Sequence, residues 1–193
     1  MSQTEIASFY PKSRSEWRKW LEEHHNSQES VWLICYKKGS GKPIIRWSDL
    51  VEEALCFGWI DSKRQPIDED KFRQFYCKRK PSGTWSRVNK EKVEQLIKKG
   101  LMSKAGLESI EIAKQNGSWT ILDEVENLIV PEDLGLAFTN HPGSKDYFLG
   151  LSKSAKKILL SWIVLAKRAE TRQKRIDEIA ENAKSSQLPV PFR

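Results

Sequence analysis

The chain has 193 residues, a net charge of +7, and 38% apolar residues including eight Trp and seven Phe. That length suits one domain, or one domain with a helical appendage, and aromatic burial offsets the modest aliphatic content. Cys35, Cys56 and Cys77 stand 21 residues apart with no CxxC pair, a pattern that excludes a disulfide framework and a zinc ribbon and fits small core thiols in a reducing compartment.

The first residues, Met1 to Ile6, lack the basic-then-apolar order of a secretory leader, and no stretch reaches the roughly 20 apolar residues that span a bilayer. The expectation is a cytoplasmic protein without membrane insertion. Ser13 and Glu16 form a capping box opening a helix to about His25, with Trp17, Trp20 and Leu21 on one face. The apolar, β-branched run Ser30 to Tyr36 is too short for a globular helix and reads as a strand covered on both faces, ended by Gly39-Ser40-Gly41.

Ser48 is the expected cap of the next helix, with Leu50, Val51, Ala54 and Leu55 as its buried stripe and Gly58 in the C′ position. Alternating side chains from Trp59 to Gln65 and Phe72 to Lys78, joined by Asp68-Glu69-Asp70, predict an antiparallel hairpin. Asn89 is the expected cap of a helix closed by Gly100, with Val88 and Val93 as its staple. A further helix follows from Ser103 to Asn116.

Short helices are predicted from Glu132 to Asn140 and from Ser144 to Gly150. The last third reads as helix with Ile158, Leu159, Trp162, Ile163 and Ala166 on one face. After a break near Thr171 come Ile176, Ile179, Ala180 and Ala183. The fold class is α+β: a small, mainly antiparallel sheet covered by helices, followed by a helical C-terminal region. The expected division is 1–117, an α+β domain with a three-strand sheet, and 118–193, helical and packed on it.

Charge is segregated, with 13 Lys+Arg against 5 Asp+Glu in residues 63–104 and 2 against 8 in residues 105–151. Lys38-Gly39-Ser40-Gly41-Lys42 lacks the spacing and following helix of a phosphate loop and reads as a turn. His24, His25 and His141 show no metal-ligand spacing, and neither a GxSxG elbow nor a GxGxxG loop occurs, so no metal and no cofactor is expected. Cys56, near a helix C-terminus, reads as inert packing.

The chemistry-bearing stretch runs from Lys78 to Asn89. Arg79 and Lys80 supply cations, Ser86 and Asn89 polar groups, and Trp85 a wall, just before a helix N-terminus where unpaired N–H groups favour an anion. A phosphate, sulfate or carboxylate suits it; the plainer reading is a solvated basic face with Trp85 in the core. Thr171, Arg172 and Arg175 at i, i+1 and i+4 present a second polar patch on a helix.

These two segments, with Ala54-Leu55-Cys56-Phe57-Gly58-Trp59-Ile60-Asp61-Ser62, Trp17-x-x-Trp20-Leu21, Gly100-Leu101-Met102 and Gly117-x-Trp119, carry a family resemblance. From about Ser13 to Lys184 the chain resembles the YdeI/OmpD-associated, or bacteriocin-protection, proteins. Lys78 and Gly83 stand where that family often has Pro and Ser. The resemblance implies a bacterial cytoplasmic protein linked to bacteriocin protection and stress resistance, with no stated reaction.

Three classes stay open. The first is a module binding an anionic small molecule through Arg79, Lys80, Ser86 and Asn89 against Trp85, with Asp61 nearby and Thr171, Arg172 and Arg175 closing from the last helix. The second is an enzyme using Asp61 as base beside Arg79. The third is a non-specific nucleic-acid binder, although no RRM, KH or helix-turn-helix signature accompanies the basic segment.

Overall fold

In a computed structural model the described residues are 6–192; the stretch 1–5, read above for a leader, lies outside them. The chain divides into two compact units, Met1–Trp119 and Thr120–Arg193.

The first unit opens with a two-residue strand β1 (Ser8–Phe9), helix α1 (Arg14–His24) and strand β2 (Ser30–Tyr36). Ser13 Oγ accepts the Glu16 N–H at 3.1 Å, while Glu16 reaches back to the Lys12 N–H rather than to that of Ser13. Helix α2 (Trp47–Cys56) then leads into the hairpin β3 (Trp59–Pro66) and β4 (Lys71–Lys78), and helices α3 (Arg87–Lys98) and α4 (Lys104–Gln115) close the unit.

The sheet has four strands in the order β1-β2-β4-β3, parallel only between β1 and β2. The three-strand expectation omits β1, which is too short to leave a period-two signal. In β2 only Val31, Trp32 and Leu33 are buried, while Ile34, Cys35 and Tyr36 stay half-buried, so the strand is covered on both faces for half its length. Between Asp61 and Arg64 the β3–β4 register slips by one residue. Such a bulge turns the next side chain to the opposite face from the one it would otherwise take, so that Arg64, not Lys63, pairs with Gln74.

Trp17, Leu21, Leu33, Leu55, Trp59, Tyr76 and Trp85 form the centre of this unit's core. The Trp17 indole donates to the Leu50 carbonyl at 3.0 Å, tying α1 to α2. One carboxylate is buried beside it: Glu53 receives Arg14 Nε at 2.5 Å and Arg18 Nη1 at 2.8 Å, and two cations compensate its desolvation.

Two caps differ from expectation. Helix α2 begins one residue before Ser48, with Arg46 in the cap position and no side-chain cap; Ser48 instead receives Lys92 Nζ and donates to Glu52. Helix α3 is capped by Ser86, whose Oγ accepts the Asn89 N–H at 3.3 Å, because a hydroxyl three residues ahead satisfies that donor. Gly58 and Gly100 do take positive φ, +72° and +66°.

Helix α4 is fixed to the end of α2 by Ser103, which accepts from the Gly106 N–H and donates to the Cys56 carbonyl at 2.8 Å. At Gly106 a Cβ would lie 2.2 Å from the Cys56 carbonyl oxygen, so only glycine permits this approach.

The second unit holds helices α5 (Asp123–Glu126), α6 (Glu132–Thr139), α7 (Ser144–Gly150), α8 (Lys153–Val164) and α9 (Ala169–Lys184), then a 3₁₀ turn (Val190–Phe192). Leu134, Phe138, Phe148, Leu160, Ile163, Ile176 and Ile179 pack its core. The break falls at residues 165–168 rather than near Thr171, which sits in the first turn of α9. Ile158 is half exposed and Leu160 takes its expected place in the core, while Ala166 lies beyond the end of α8.

Candidate functional site

Strand β4 ends at Lys78, and the Arg79 N–H then donates to the Gly58 carbonyl at 2.9 Å. A tight turn follows, with the Gly83 N–H on the Lys80 carbonyl at 2.8 Å. Asn116 and Ser118 hold it by donating to the Pro81 carbonyl at 2.8 and 3.2 Å. The chain thereby doubles back so that Trp85, just before the Ser86 cap, slides beneath Arg79.

The Arg79 guanidinium lies 3.6 Å from the Trp85 ring centroid, and Trp85, only 2% exposed, leans on Trp119. A guanidinium over an indole gains from the ring quadrupole, more so when desolvated. Arg79 Nη2 donates to the Thr84 carbonyl at 2.6 Å. Its Nε and Nη1 are sealed from solvent with no acceptor among the described residues. Burial pulls the guanidinium pKa down to about 10, with the Cys77 and Asp61 side chains opposing that shift. A buried cation without a carboxylate partner is costly.

Arg79, Lys80 and Trp85 line one cavity of about 220 Å³. Also on its wall are His25 from the end of α1, Gly58, and Ser109 and Glu108 from α4. His25 Nδ1 is 2.8 Å from the Leu21 carbonyl, which assigns the ring proton to Nδ1 and leaves Nε2 as an acceptor in the neutral form. Lys78 also lines the cavity, but its ammonium is held by Glu29 at 2.6 Å and by the Asn26 carbonyl.

The remaining sequence-derived residues of the first unit do not line it. Ser86 and Asn89 are joined in the cap of α3 and do not line this cavity. Asp61 accepts from Trp47 Nε1 at 3.0 Å and sits 3.5 Å from Gln74 Nε2; it too is off the cavity wall. Arg172 forks onto Asp133 at 2.7 and 3.0 Å, and Arg175 donates to the Trp162 carbonyl at 2.5 Å while lying over that indole. Those partners, like Thr171, belong to the second unit.

His25, Glu108 and Ser109 are among the polar cavity residues that sequence reasoning missed. His25 is the C-cap of α1, and Glu108 and Ser109 lie in α4, all far along the chain from Arg79 and with no motif at these positions. Among the described residues no group of His, Cys, Asp and Glu is placed to hold a metal ion, and no helix is long and apolar enough to cross a membrane.

The first unit is thus an α+β domain whose hairpin and helices enclose a basic cavity walled by an indole. The chain belongs to a family described as a domain of unknown function (DUF8412), whose model matches residues 9–109, more than half of its length. Residues 127–185 match a second model, described as Bacteriocin-protection, YdeI or OmpD-Associated. That match carries the family resemblance in the second unit, whereas the stretch from Ala54 to Asn89 falls within the first model. No curated protein and no solved structure matches the chain.

Proposed function

We propose that this protein is a binding module for a small anionic molecule or group, seated in the cavity beside Arg79 and Lys80 against Trp85. The observation that carries this reading is the Arg79 guanidinium itself: largely buried, stacked on an indole, with two donor nitrogens lacking any acceptor among the described residues. A phosphate or carboxylate in the cavity supplies the missing negative charge, and among the described residues the bond to Thr84 is the one hydrogen bond that holds the guanidinium in its present rotation. Lys80, exposed at the mouth, adds long-range attraction.

Thr171, Arg172 and Arg175 are not needed for this core of the reading, because Arg172 already has Asp133 as its counter-charge. The match to the bacteriocin-protection family over residues 127–185 is consistent with a protective role exerted by sequestering or sensing an anionic compound.

The test is calorimetric titration of the full chain with inorganic phosphate. Saturable binding that falls at least tenfold in Arg79→Gln and severalfold in Lys80→Gln supports the reading. Equal affinity in wild type and Arg79→Gln refutes it.

A further inference from the structure

A second cavity, of about 330 Å³, opens in the first unit beside the start of α2, and Arg79 takes no part in it. Tyr10, Tyr36, Trp47 and Phe72 give it aromatic walls, with Ile44 and Leu50 between them. The Trp47 indole is 57% exposed, yet its N–H is fixed on Asp61 Oδ2 at 3.0 Å. Ile44 is 49% exposed at the same cavity. Large apolar groups held at a concave surface characterise small-molecule sites, which run from about 300 to 1,000 Å³; this cavity lies at the small end, the size of a one- or two-ring ligand.

The charges on its wall have one sign. Lys37, Lys38, Arg46 and Arg64 line it, and among the described residues no Asp or Glu does. Arg46 is neutralised by Asp49 at 3.0 Å, and Lys37 donates to the carbonyls of Asp68 and Glu69. Arg64 has no carboxylate among the described residues; its guanidinium lies 3.5 Å from the Phe72 ring centroid. That stacking leaves the N–H edge free, and the guanidinium fork matches a carboxylate. The bulge after Asp61 is what brings Arg64 here, since an unbroken register would pair Lys63 with Gln74 and turn Arg64 to the other face.

We propose that this cavity binds an aromatic carboxylate, its ring among Trp47, Tyr36 and Phe72 and its carboxylate on Arg64. Aromatic walls select the ring, and the unopposed cation selects the acid over its neutral analogue.

Calorimetric titration of the full chain with naphthoate tests this, with naphthalenemethanol as the uncharged counterpart. Saturable naphthoate binding is expected, at least tenfold tighter than that of the alcohol, weakened at least tenfold in Arg64→Gln, weakened in Trp47→Ala, and unchanged in Arg79→Gln. Arg64 and Trp47 are exposed, so both variants keep the core intact. Absence of saturable binding, equal affinity for acid and alcohol, or loss in Arg79→Gln with retention in Arg64→Gln overturns the proposal; the last of these outcomes assigns the acid to the Arg79 cavity.

Discussion

Arg79 and Trp85 are stacked at 3.6 Å although six residues apart on a turn, and the guanidinium so held has, among the described residues, one hydrogen bond and no carboxylate partner. The proposed binding role and a scaffolding role make different demands on such a group: the first needs it to meet a ligand, the second needs it to hold the turn.

Replacement of Arg79 separates the two roles. Arg79→Met removes the desolvated charge, the cation–π contact and the Thr84 bond together, contributions of opposite sign that each amount to about 1–3 kcal/mol. The expected outcome is a change in denaturation midpoint equivalent to less than about 1.5 kcal/mol, alongside complete loss of phosphate binding. A structural linchpin would instead lose about 3 kcal/mol or more.

The Glu53 cluster is expected to behave in the reverse manner. Its side chain is 5% exposed, whereas those of Arg14 and Arg18 are 37% and 29% exposed. Removing both cations in Arg14→Ala/Arg18→Ala strands a buried carboxylate and costs about 3–5 kcal/mol. Glu53→Leu leaves two arginines that water can reach and costs less than half as much; urea unfolding of the two variants gives the comparison.

Glycine substitutions test the docking of α4 on α2. Gly106→Ala drives a Cβ to 2.2 Å from the Cys56 carbonyl and is expected to cost about 3 kcal/mol or to prevent folding. Gly100→Ala meets nothing within 4 Å and carries only the cost of positive φ, about 1 kcal/mol. Thermal midpoints of the two variants, measured side by side, rank these costs.

Acid sensitivity follows from Glu52. Burial raises its carboxyl pKa, but the Lys92 ammonium, the Ser48 hydroxyl and Arg14 outweigh that and hold it below the ordinary value of 4.5. A folded-state value below the unfolded one means the stabilisation is complete above about pH 4.5 and disappears as pH falls through the folded-state value. Glu52→Gln is expected to flatten the dependence of stability on pH between about 5 and 3, with a loss near neutrality of about 1 kcal/mol. An unchanged slope counts against the ion pair.

Much of this architecture is legible in the chain. The β2 bounds follow from a short continuous apolar run, and the hairpin and the α9 core residues Ile176, Ile179, Ala180 and Ala183 from periodicity, because each burial choice there is local. Caps are less legible: Ser48 and Asn89 have the right chemistry, but Ser86 caps α3 and Arg46 stands at the cap position of α2 with no side-chain bond, since the residue where the helix begins is decided by backbone geometry. Within the site, Arg79, Lys80 and Trp85 are close in sequence and readable as a unit. His25 and Ser109 enter only through the packing of α1 and α4, and Arg64 only through a bulge, features that leave no local pattern.

The most direct measurement is the Nε–H resonance of Arg79 in the full chain during titration with inorganic phosphate. The proposed binding role predicts a saturable shift of that resonance at the same concentration that saturates calorimetry. A resonance that stays in place while phosphate binds, or no phosphate binding at all, contradicts it.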